Sequence, residues 1–229
     1  MNKIKNCYKT LYCMKSKKKL VVFGAGGYGR EMLFLVSDMN AKSNYCYDIL
    51  GFIDDTPALQ NKVVNKFPVI GDSSWLMNYN DEINVVIALG SSQSRKMVYE
   101  RLSQNQNILF PNIFASEAKC SEEVSLGKGC IIGNYTVLST NISIGDFVLI
   151  GNLCDIGHDV KLGDFVTIYG CACLCGHVEI GSFSEIGVGA NIIPKKKIGE
   201  NTVVGAGAVV MRNIPSNCTV YGNPAKKLA

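Results

Sequence analysis

The chain holds two histidines, both in its C-terminal half, and one of them stands next to a carboxylate. His158 is followed directly by Asp159 in the run Ile-Gly-His-Asp-Val, and His177 lies 19 positions after His158. Imidazole is the side chain whose unperturbed pKa, about 6.5, suits a proton acceptor near neutral pH. A carboxylate beside such a base orients the ring or stabilises its charged form. His158 and Asp159 are therefore the candidate catalytic residues, with His158 as general base.

A six-residue repeat surrounds both histidines. Every sixth position from Leu126 to Val210 carries Leu, Ile or Val, and the register never slips. The residue two positions before each of these is usually small or β-branched, and the residue after it is often Gly. Neither a helix nor an ordinary strand has a period of six. The pattern predicts a β-solenoid in which each hexapeptide is a short strand followed by a tight turn.

A glycine-rich turn marks the N-terminal half. The apolar run at 20–23 leads into Gly-Ala-Gly-Gly-Tyr-Gly at 24–29 and then into a helical pattern. A second apolar run at 49–53 ends in Asp54-Asp55, and a third at 83–89 ends in Gly90-Ser91. Glycines at a strand–helix turn let the backbone approach a ligand, and the helix N-terminus attracts anions. We predict a Rossmann-like βαβ domain.

Length, charge and cysteine content limit the number of domains and the class of protein to which the chain can belong. The 229 residues with 47% hydrophobic content suit two domains, at 19–112 and 113–229, after an extension at 1–18. No apolar run approaches the ~18 residues of a membrane span. A net charge of +4, with lysines clustered at 15–19, 195–197 and 226–227 rather than along one basic face, argues against nucleic acid as a partner. The ten cysteines of a chain expected to be cytoplasmic are read as reduced packing thiols. Cys171, Cys173, Cys175 and His177 alternate, but a solenoid turn points them in different directions, so no metal site is expected.

Together these motifs resemble the hexapeptide-repeat, left-handed β-helix acyltransferases. The glycine-rich turn and Asp54-Asp55 ahead of the repeat, with the run Val-Tyr-Gly-Asn-Pro-Ala-Lys-Lys-Leu at 220–228, resemble the sugar acetyltransferases of the sialic acid O-acetyltransferase and nucleotide-sugar 4-amino N-acetyltransferase (NeuD/PglD) family. The resemblance implies a small Rossmann-like α/β domain followed by a left-handed parallel β-helix. It also implies a homotrimer and acetyl-CoA as the acetyl donor.

The resemblance assigns further site residues. The first domain would bind a sugar or nucleotide-sugar, and not NAD, at Gly26, Gly27, Tyr28, Gly29, Asp54, Asp55, Gly90 and Ser91. Acetyl-CoA would run along the β-helix in a groove between protomers, near Thr167, Gly176, His177, Gly187, Gly205, Lys195 and Lys226. Lys195 and Lys226 are candidates for its phosphates, and the N–H of Gly176 is a candidate oxyanion donor. No metal cofactor is expected.

In that fold residues 18 apart stack, which sorts the outward side chains onto three faces. One face is polar throughout and is expected to be solvated: Ser125, Ser143, Lys161, Glu179 and Lys197. The other two faces carry apolar outward residues, among them Ile131, Leu149 and Val137. We expect the apolar residues on these two faces to meet neighbouring subunits, so that replacing Ile131 or Leu149 with Glu should split a trimer, because exposed apolar patches mark interaction sites.

The expected activity is acetyl-CoA-dependent acetylation of an amino or hydroxyl group on a sugar or nucleotide-sugar, in bacterial surface glycan biosynthesis. Direct attack on the thioester needs only a base and oxyanion donors, whereas Cys154, Cys173 or Cys175 would support a ping-pong route. The alternatives are a serine-type small-molecule O-acetyltransferase and a non-catalytic nucleotide-sugar-binding trimer. A metal-dependent β-helix hydratase would need three zinc-binding histidines. The sequence leaves open O- or N-transfer, the sugar and the nucleotide.

Overall fold

The computed structural model describes residues 17–42 and 47–228. Residues 1–16 of the predicted N-terminal extension lie outside this part of the chain. The chain divides between Ile113 and Phe114 into two compact units. Within the described residues, no helix combines the length and the apolar character needed to cross a membrane.

The first unit is built on a six-stranded sheet with the order β3-β4-β2-β1-β5-β6. Its elements are β1 (Lys18–Phe23), α1 (Gly27–Lys42), β2 (Tyr47–Ile53), a 3-10 helix (Pro57–Leu59), β3 (Val63–Val64), β4 (Phe67–Gly71), α2 (Ser73–Met77), β5 (Ile83–Ile87), α3 (Ser92–Leu102) and β6 (Ile108–Leu109). Strand β1 pairs in parallel with β2 and with β5. The Rossmann-like α/β fold predicted for this half is confirmed.

The central strands of this sheet end side by side. Gly24 donates its N–H to the carbonyl of Ile53 (2.7 Å), and Ala88 donates to the carbonyl of Phe23 (2.9 Å). The loops after β1, β2 and β5 therefore meet at one edge of the sheet, where open α/β sheets bind ligands. Burial on both sides explains the continuous apolar run of β1, in which Leu20, Val21 and Val22 are fully buried.

The second unit is a parallel β-helix with three flat faces. The polar face holds Ser125–Leu126, Ser143–Ile144, Lys161–Leu162, Glu179–Ile180 and Lys197–Ile198. The second face holds Ile113–Phe114, Ile131–Ile132, Leu149–Ile150, Thr167–Ile168, Glu185–Ile186, Val203–Val204, Thr219–Tyr221 and the antiparallel Lys226–Lys227. The third face holds Lys119–Cys120, Val137–Leu138, Asp155–Ile156, Cys173–Leu174, Asn191–Ile192 and Val209–Val210. The predicted sorting of outward residues onto three faces is confirmed.

Each hexapeptide contributes two inward side chains to one continuous core. Ile156 and Leu174 stack at 18-residue spacing on the third face, and both are fully buried. Val160 and Val178, two positions before the next repeat residue, are also fully buried. Stacked aliphatic side chains of this kind supply most of the stabilisation of a solenoid. The unit is the left-handed parallel β-helix that the sequence predicts.

The expectation for Ile131 and Leu149 is wrong. Both point outward on the second face, yet they are only 2% and 3% exposed in the single chain. They are therefore not free to meet a neighbouring subunit. Exposed apolar residues also lie at the corner between the second and third faces, which we call the apolar corner and which includes Tyr135 (62% exposed) and Leu153 (58%). Val137 (41%) on the third face and Val203 (40%) on the second face are exposed as well.

Candidate active site

His158, Asp159 and His177 come together on the corner between the third face and the polar face. His158 and Asp159 follow the strand Asp155–Ile156, and His177 follows Cys173–Leu174 one coil later. His177 donates its backbone N–H to the carbonyl of His158 (2.9 Å), which sets the register of the two coils. Asp159 and His177 both have φ of 59°, the left-handed conformation that turns the chain at this corner. The 18-residue stacking predicted for His177 above Asp159 is confirmed.

The carboxylate of Asp159 lies between the two imidazoles. Nδ1 of His158 is 2.7 Å from Oδ2 of Asp159, and Nε2 of His177 is 3.8 Å from the same oxygen. The hydrogen bond from His158 lowers the pKa of Asp159, and the charge of His177 and a hydrogen bond from Asn141 act in the same direction. An ionised Asp159 holds the proton of His158 on Nδ1. Nε2 of His158 is then the free acceptor that a general base requires.

Gly176 provides the space that the ring of His158 occupies. A Cβ added at Gly176 would lie 2.5 Å from Cε1 of His158 and closer still to Nε2. Gly176 is therefore beside the reactive edge of the imidazole. Its role as an oxyanion donor stays a prediction, while its need to lack a side chain follows directly from the packing.

Three residues predicted to bind acetyl-CoA are buried or sit at close contacts between coils in the single chain. Thr167 is 3% exposed on the second face. A Cβ at Gly187 would lie 2.5 Å from the amide nitrogen of Ala206, and one at Gly205 would lie 2.9 Å from Cβ of Tyr221. These two glycines let successive coils approach. Lys195 and Lys226 are exposed and available to an anionic ligand.

Two glycines that sequence reasoning missed leave bare backbone on the apolar corner. Gly189 and Gly207 both have φ of 66°, and an added Cβ would meet nothing within 4 Å. Tyr135 and Leu153 occupy the same column at φ of 58° and 60°, so this conformation accepts side chains. Packing leaves room for a side chain at 189 and 207, while the φ of 66° favours glycine there. The signal in the sequence is the change from large residues to glycine at 18-residue spacing.

In the first unit, the adjacent residues Asp54 and Asp55 contact different partners. Oδ2 of Asp54 accepts a hydrogen bond from the N–H of Ala25 (2.8 Å), so Asp54 fixes the glycine-rich turn. Asp55 accepts from the N–H of Ser73 (2.8 Å) and pairs with Arg101 (2.8 Å). Partial burial raises the pKa of Asp55, but hydrogen bonds from Ser73 and Arg101 outweigh it and hold the pKa below its usual range. The carboxylate of Asp55 is thus occupied by contacts with Ser73 and Arg101 although the residue is exposed, whereas Asp54 lies at the turn itself.

The glycines of this sheet edge also separate into two groups. Gly29 packs so closely on the carbonyl of Gly24 that no side chain fits there. Gly26 and Gly90 have nothing within 4 Å of an added Cβ, and Gly27 meets only the guanidinium of Arg30 at 3.8 Å. Gly26, Gly27 and Gly90 therefore line open space at the strand ends, as a ligand site requires.

The loop after β5 is held from within by a residue that sequence reasoning missed. Arg95 is fully buried and donates from Nη1 to the carbonyls of Leu89 (3.0 Å) and Gly90 (2.8 Å). Ser91 caps α3 by accepting from the N–H of Ser94 (3.3 Å). Tyr28 is half-buried in the first turn of α1. The Gly90-Ser91 turn is thus a fixed part of the edge.

Three thiols of the β-helix have raised pKa values. Burial raises the pKa of Cys130 to about 12 and also raises the pKa of Cys154. Burial is the largest cause of the raised pKa of Cys173 as well. Because the thiolate is the nucleophile, a raised pKa works against a covalent acyl-thiol route at Cys154 or Cys173.

Comparisons with known proteins agree with both units. Residues 19–102 match the model of the PglD N-terminal domain. The chain is similar to the acetyltransferase domain of PglB from Neisseria gonorrhoeae FA1090 in complex with acetyl coenzyme A (31% identity over 93% of this chain and 100% of that one, TM-score 0.84). It is similar to WeeI from Acinetobacter baumannii AYE, with 30% identity over 93% of this chain and 100% of that one and a TM-score of 0.82. It is also similar to a mutant of perosamine N-acetyltransferase from Caulobacter crescentus in complex with CoA and GDP-perosamine. The identity is 25% over 93% of this chain and 98% of that one, and the TM-score is 0.83. Comparison with curated protein sequences finds no significant match.

Proposed function

The chain belongs to the NeuD/PglD family of hexapeptide-repeat sugar acetyltransferases, and we propose that it moves the acetyl group of acetyl-CoA onto an amino or hydroxyl group of a nucleotide-sugar. The protein is an acyltransferase. Acetyl-CoA is its co-substrate, as the complex of the similar PglB domain supports. The observation that carries the proposed chemistry is the His158–Asp159 pair with Gly176 packed against the ring of His158.

His158 performs the proton transfers in this proposal. Nε2 of His158 takes the proton of the acceptor amine or hydroxyl as that group attacks the thioester carbonyl. The N–H of Gly176 supports the oxyanion of the tetrahedral intermediate. The C–S bond then breaks, and the imidazolium returns its proton to the leaving thiolate of CoA. Asp159 stabilises the imidazolium between these two steps.

The acceptor is proposed to bind at the strand ends of the first unit. Open space beside Gly26, Gly27 and Gly90 lets the backbone approach a ligand, and the start of α1 offers N–H groups to a phosphate. Asp54 positions the turn that would surround the ligand. The similar enzyme with bound GDP-perosamine is an N-acetyltransferase, which favours an amino sugar as the first acceptor class to test.

Acetyl-CoA is proposed to lie along the β-helix, with Lys195 or Lys226 near its phosphates. The bare backbone at Gly189 and Gly207 supports a close approach by a ligand or neighbouring subunit on the apolar corner. We propose a homotrimer in which Leu153 and its neighbours on this corner are covered. Family membership also supports a cytoplasmic role in surface glycan biosynthesis.

An acceptor panel tests this proposal. Purified protein is mixed with acetyl-CoA and either nucleotide-linked amino sugars, nucleotide-linked sugars bearing hydroxyl groups only, or serine, and CoA release is followed over time. Release that requires an amino sugar, with the acetyl amide identified by mass spectrometry, supports N-transfer. Release with serine alone supports the small-molecule alternative. Thermal stabilisation by a nucleotide-sugar without any CoA release would leave the non-catalytic binding protein as the correct account.

A further inference from the structure

The active-site corner presents three metal-ligating side chains at close range. His158, Asp159 and His177 each offer one ligand atom, and these atoms lie within 4.8 Å of one another. Oδ2 of Asp159 is 2.7 Å from Nδ1 of His158 and 3.8 Å from Nε2 of His177. An ion with bonds of about 2.0–2.2 Å holds neighbouring ligand atoms roughly 3–3.5 Å apart. The observed separations run from 2.7 Å to at most 4.8 Å, so shifts of up to about 1.5 Å would bring all three ligand atoms into that range.

We propose that His158, Asp159 and His177 bind a divalent transition-metal ion of the zinc class, and that this ion inhibits the enzyme. Two imidazole nitrogens with one carboxylate oxygen are ligands that such ions prefer. The ion is no cofactor of the acetyl transfer, which needs only a base and oxyanion donors. It is a ligand from solution that competes for the base.

The local structure keeps this corner open and its ligands aligned. The side chains of His158, Asp159 and His177 are 54%, 37% and 52% exposed, so a hydrated ion can reach all three. Backbone hydrogen bonds hold the coils in register: Asp159 donates to Thr140 (3.0 Å) and His177 to His158 (2.9 Å). The rings meet edge to face, with centroids 5.1 Å apart. The fold of the two coils thus holds the three ligand atoms close to one another.

An ion at this site would remove the general base. Nδ1 of His158 supplies a lone pair to the metal, so the remaining proton of the neutral ring must sit on Nε2. Nε2 then cannot accept a proton from the acceptor, and Asp159 no longer orients the ring. Inhibition rests on the proposed function, whereas binding of the ion does not. His177 is what turns a catalytic pair into a three-ligand site.

Cobalt is the probe for binding, because Co²⁺ follows the ligand preferences of Zn²⁺ and its visible absorption reports the donor atoms. Wild-type protein titrated with Co²⁺ should show saturable binding at one ion per chain with nitrogen and oxygen donors, and Zn²⁺ should displace it. His177→Asn should weaken binding at least tenfold, because it removes one of three ligands. A matched variant, Cys173→Ser, should bind Co²⁺ as the wild type does, since Cys173 lies on the flat third face and is not one of the three clustered ligands at the corner.

Clear outcomes overturn the proposal. Absence of saturable Co²⁺ binding, or binding unchanged in His177→Asn, would contradict it. Sulfur-to-cobalt absorption that disappears in Cys173→Ser would place the ion on thiols and also contradict it. In the activity arm, Zn²⁺ should inhibit CoA release and a chelator should restore it. Protein that binds Co²⁺ as described but transfers no acetyl group would refute the proposed function while leaving the metal site intact.

Discussion

Replacing Gly176 with alanine tests whether catalysis depends on the position of the His158 ring. The new Cβ would lie 2.5 Å from Cε1 of His158 and closer to Nε2, whereas carbon atoms in contact sit about 3.5–4.0 Å apart. The imidazole must therefore move by about 1 Å. The side chain of His158 is 54% exposed and can swing outward. Gly176 has no left-handed φ, so alanine adds no backbone strain.

These two facts predict a large loss of activity with little loss of stability. A misplacement of about 1 Å at a reacting group costs on the order of 10²-fold in rate. At about 1.36 kcal/mol for each factor of ten, that corresponds to about 2.7 kcal/mol of transition-state stabilisation. The assay is kcat for CoA release with the acceptor found in the panel. The melting temperature is measured alongside and should change little.

Cys175→Ala is the matched control, because it alters the preceding residue of the same coil without touching the space that the ring occupies. It should keep kcat close to the wild-type value. A Gly176→Ala variant with wild-type kcat would refute the reasoning, since the ring would then work equally well from a displaced position. A dead Cys175→Ala variant would point to a thiol route instead of direct attack.

Three further predictions address the remaining elements. Asp54→Ala should weaken nucleotide-sugar binding and leave acetyl-CoA affinity unchanged, since Asp54 fixes the turn at Ala25; tight NADH binding in a fluorescence titration would contradict this assignment of the domain. The folded-state pKa of Asp55 is lowered, so its contribution to the free energy of unfolding is present above the ordinary value of 3.8 and is lost as pH falls through the lowered pKa. Asp55→Asn should therefore flatten the loss of stability at acid pH that urea denaturation measures. Leu153→Glu should lower the mass measured by light scattering because it places a charge in the proposed trimer contact, whereas Lys161→Glu on the polar face should not; an unchanged mass for Leu153→Glu would count against that contact.

The hexapeptide period made much of the second unit predictable. Given the three hexapeptides per coil that the family resemblance implies, the side chains that stack 18 apart follow by counting. The placement of His177 above Asp159 came from that count. The same period could not show which outward residues are covered. Ile131 and Leu149 look like interface residues in the sequence, but their burial depends on packing that the repeat does not encode.

Glycines and aspartates show a second limit of the sequence. Gly187 and Gly189 are two positions apart and look alike in the sequence, yet Gly187 lets successive coils approach each other and Gly189 leaves bare backbone. They differ in backbone conformation, with a left-handed φ of 66° at Gly189 only, and in the distance to the next coil. Asp54 and Asp55 are likewise adjacent, but Arg101, far along the chain, engages Asp55. Long-range contacts of this kind carry no local pattern.

The central claim is that His158 is the general base, and paired variants of the two histidines test it most directly. His158 and His177 are the two histidines of the chain, so no imidazole outside this pair can take over as the base. His158→Asn should lower kcat by about 10²–10⁴-fold while acetyl-CoA still binds, as isothermal titration would show. His177→Asn should lower kcat far less, because His177 only adjoins the carboxylate that orients the base. If His177→Asn is the inactive variant and His158→Asn still transfers acetyl groups, the assignment of the base is wrong.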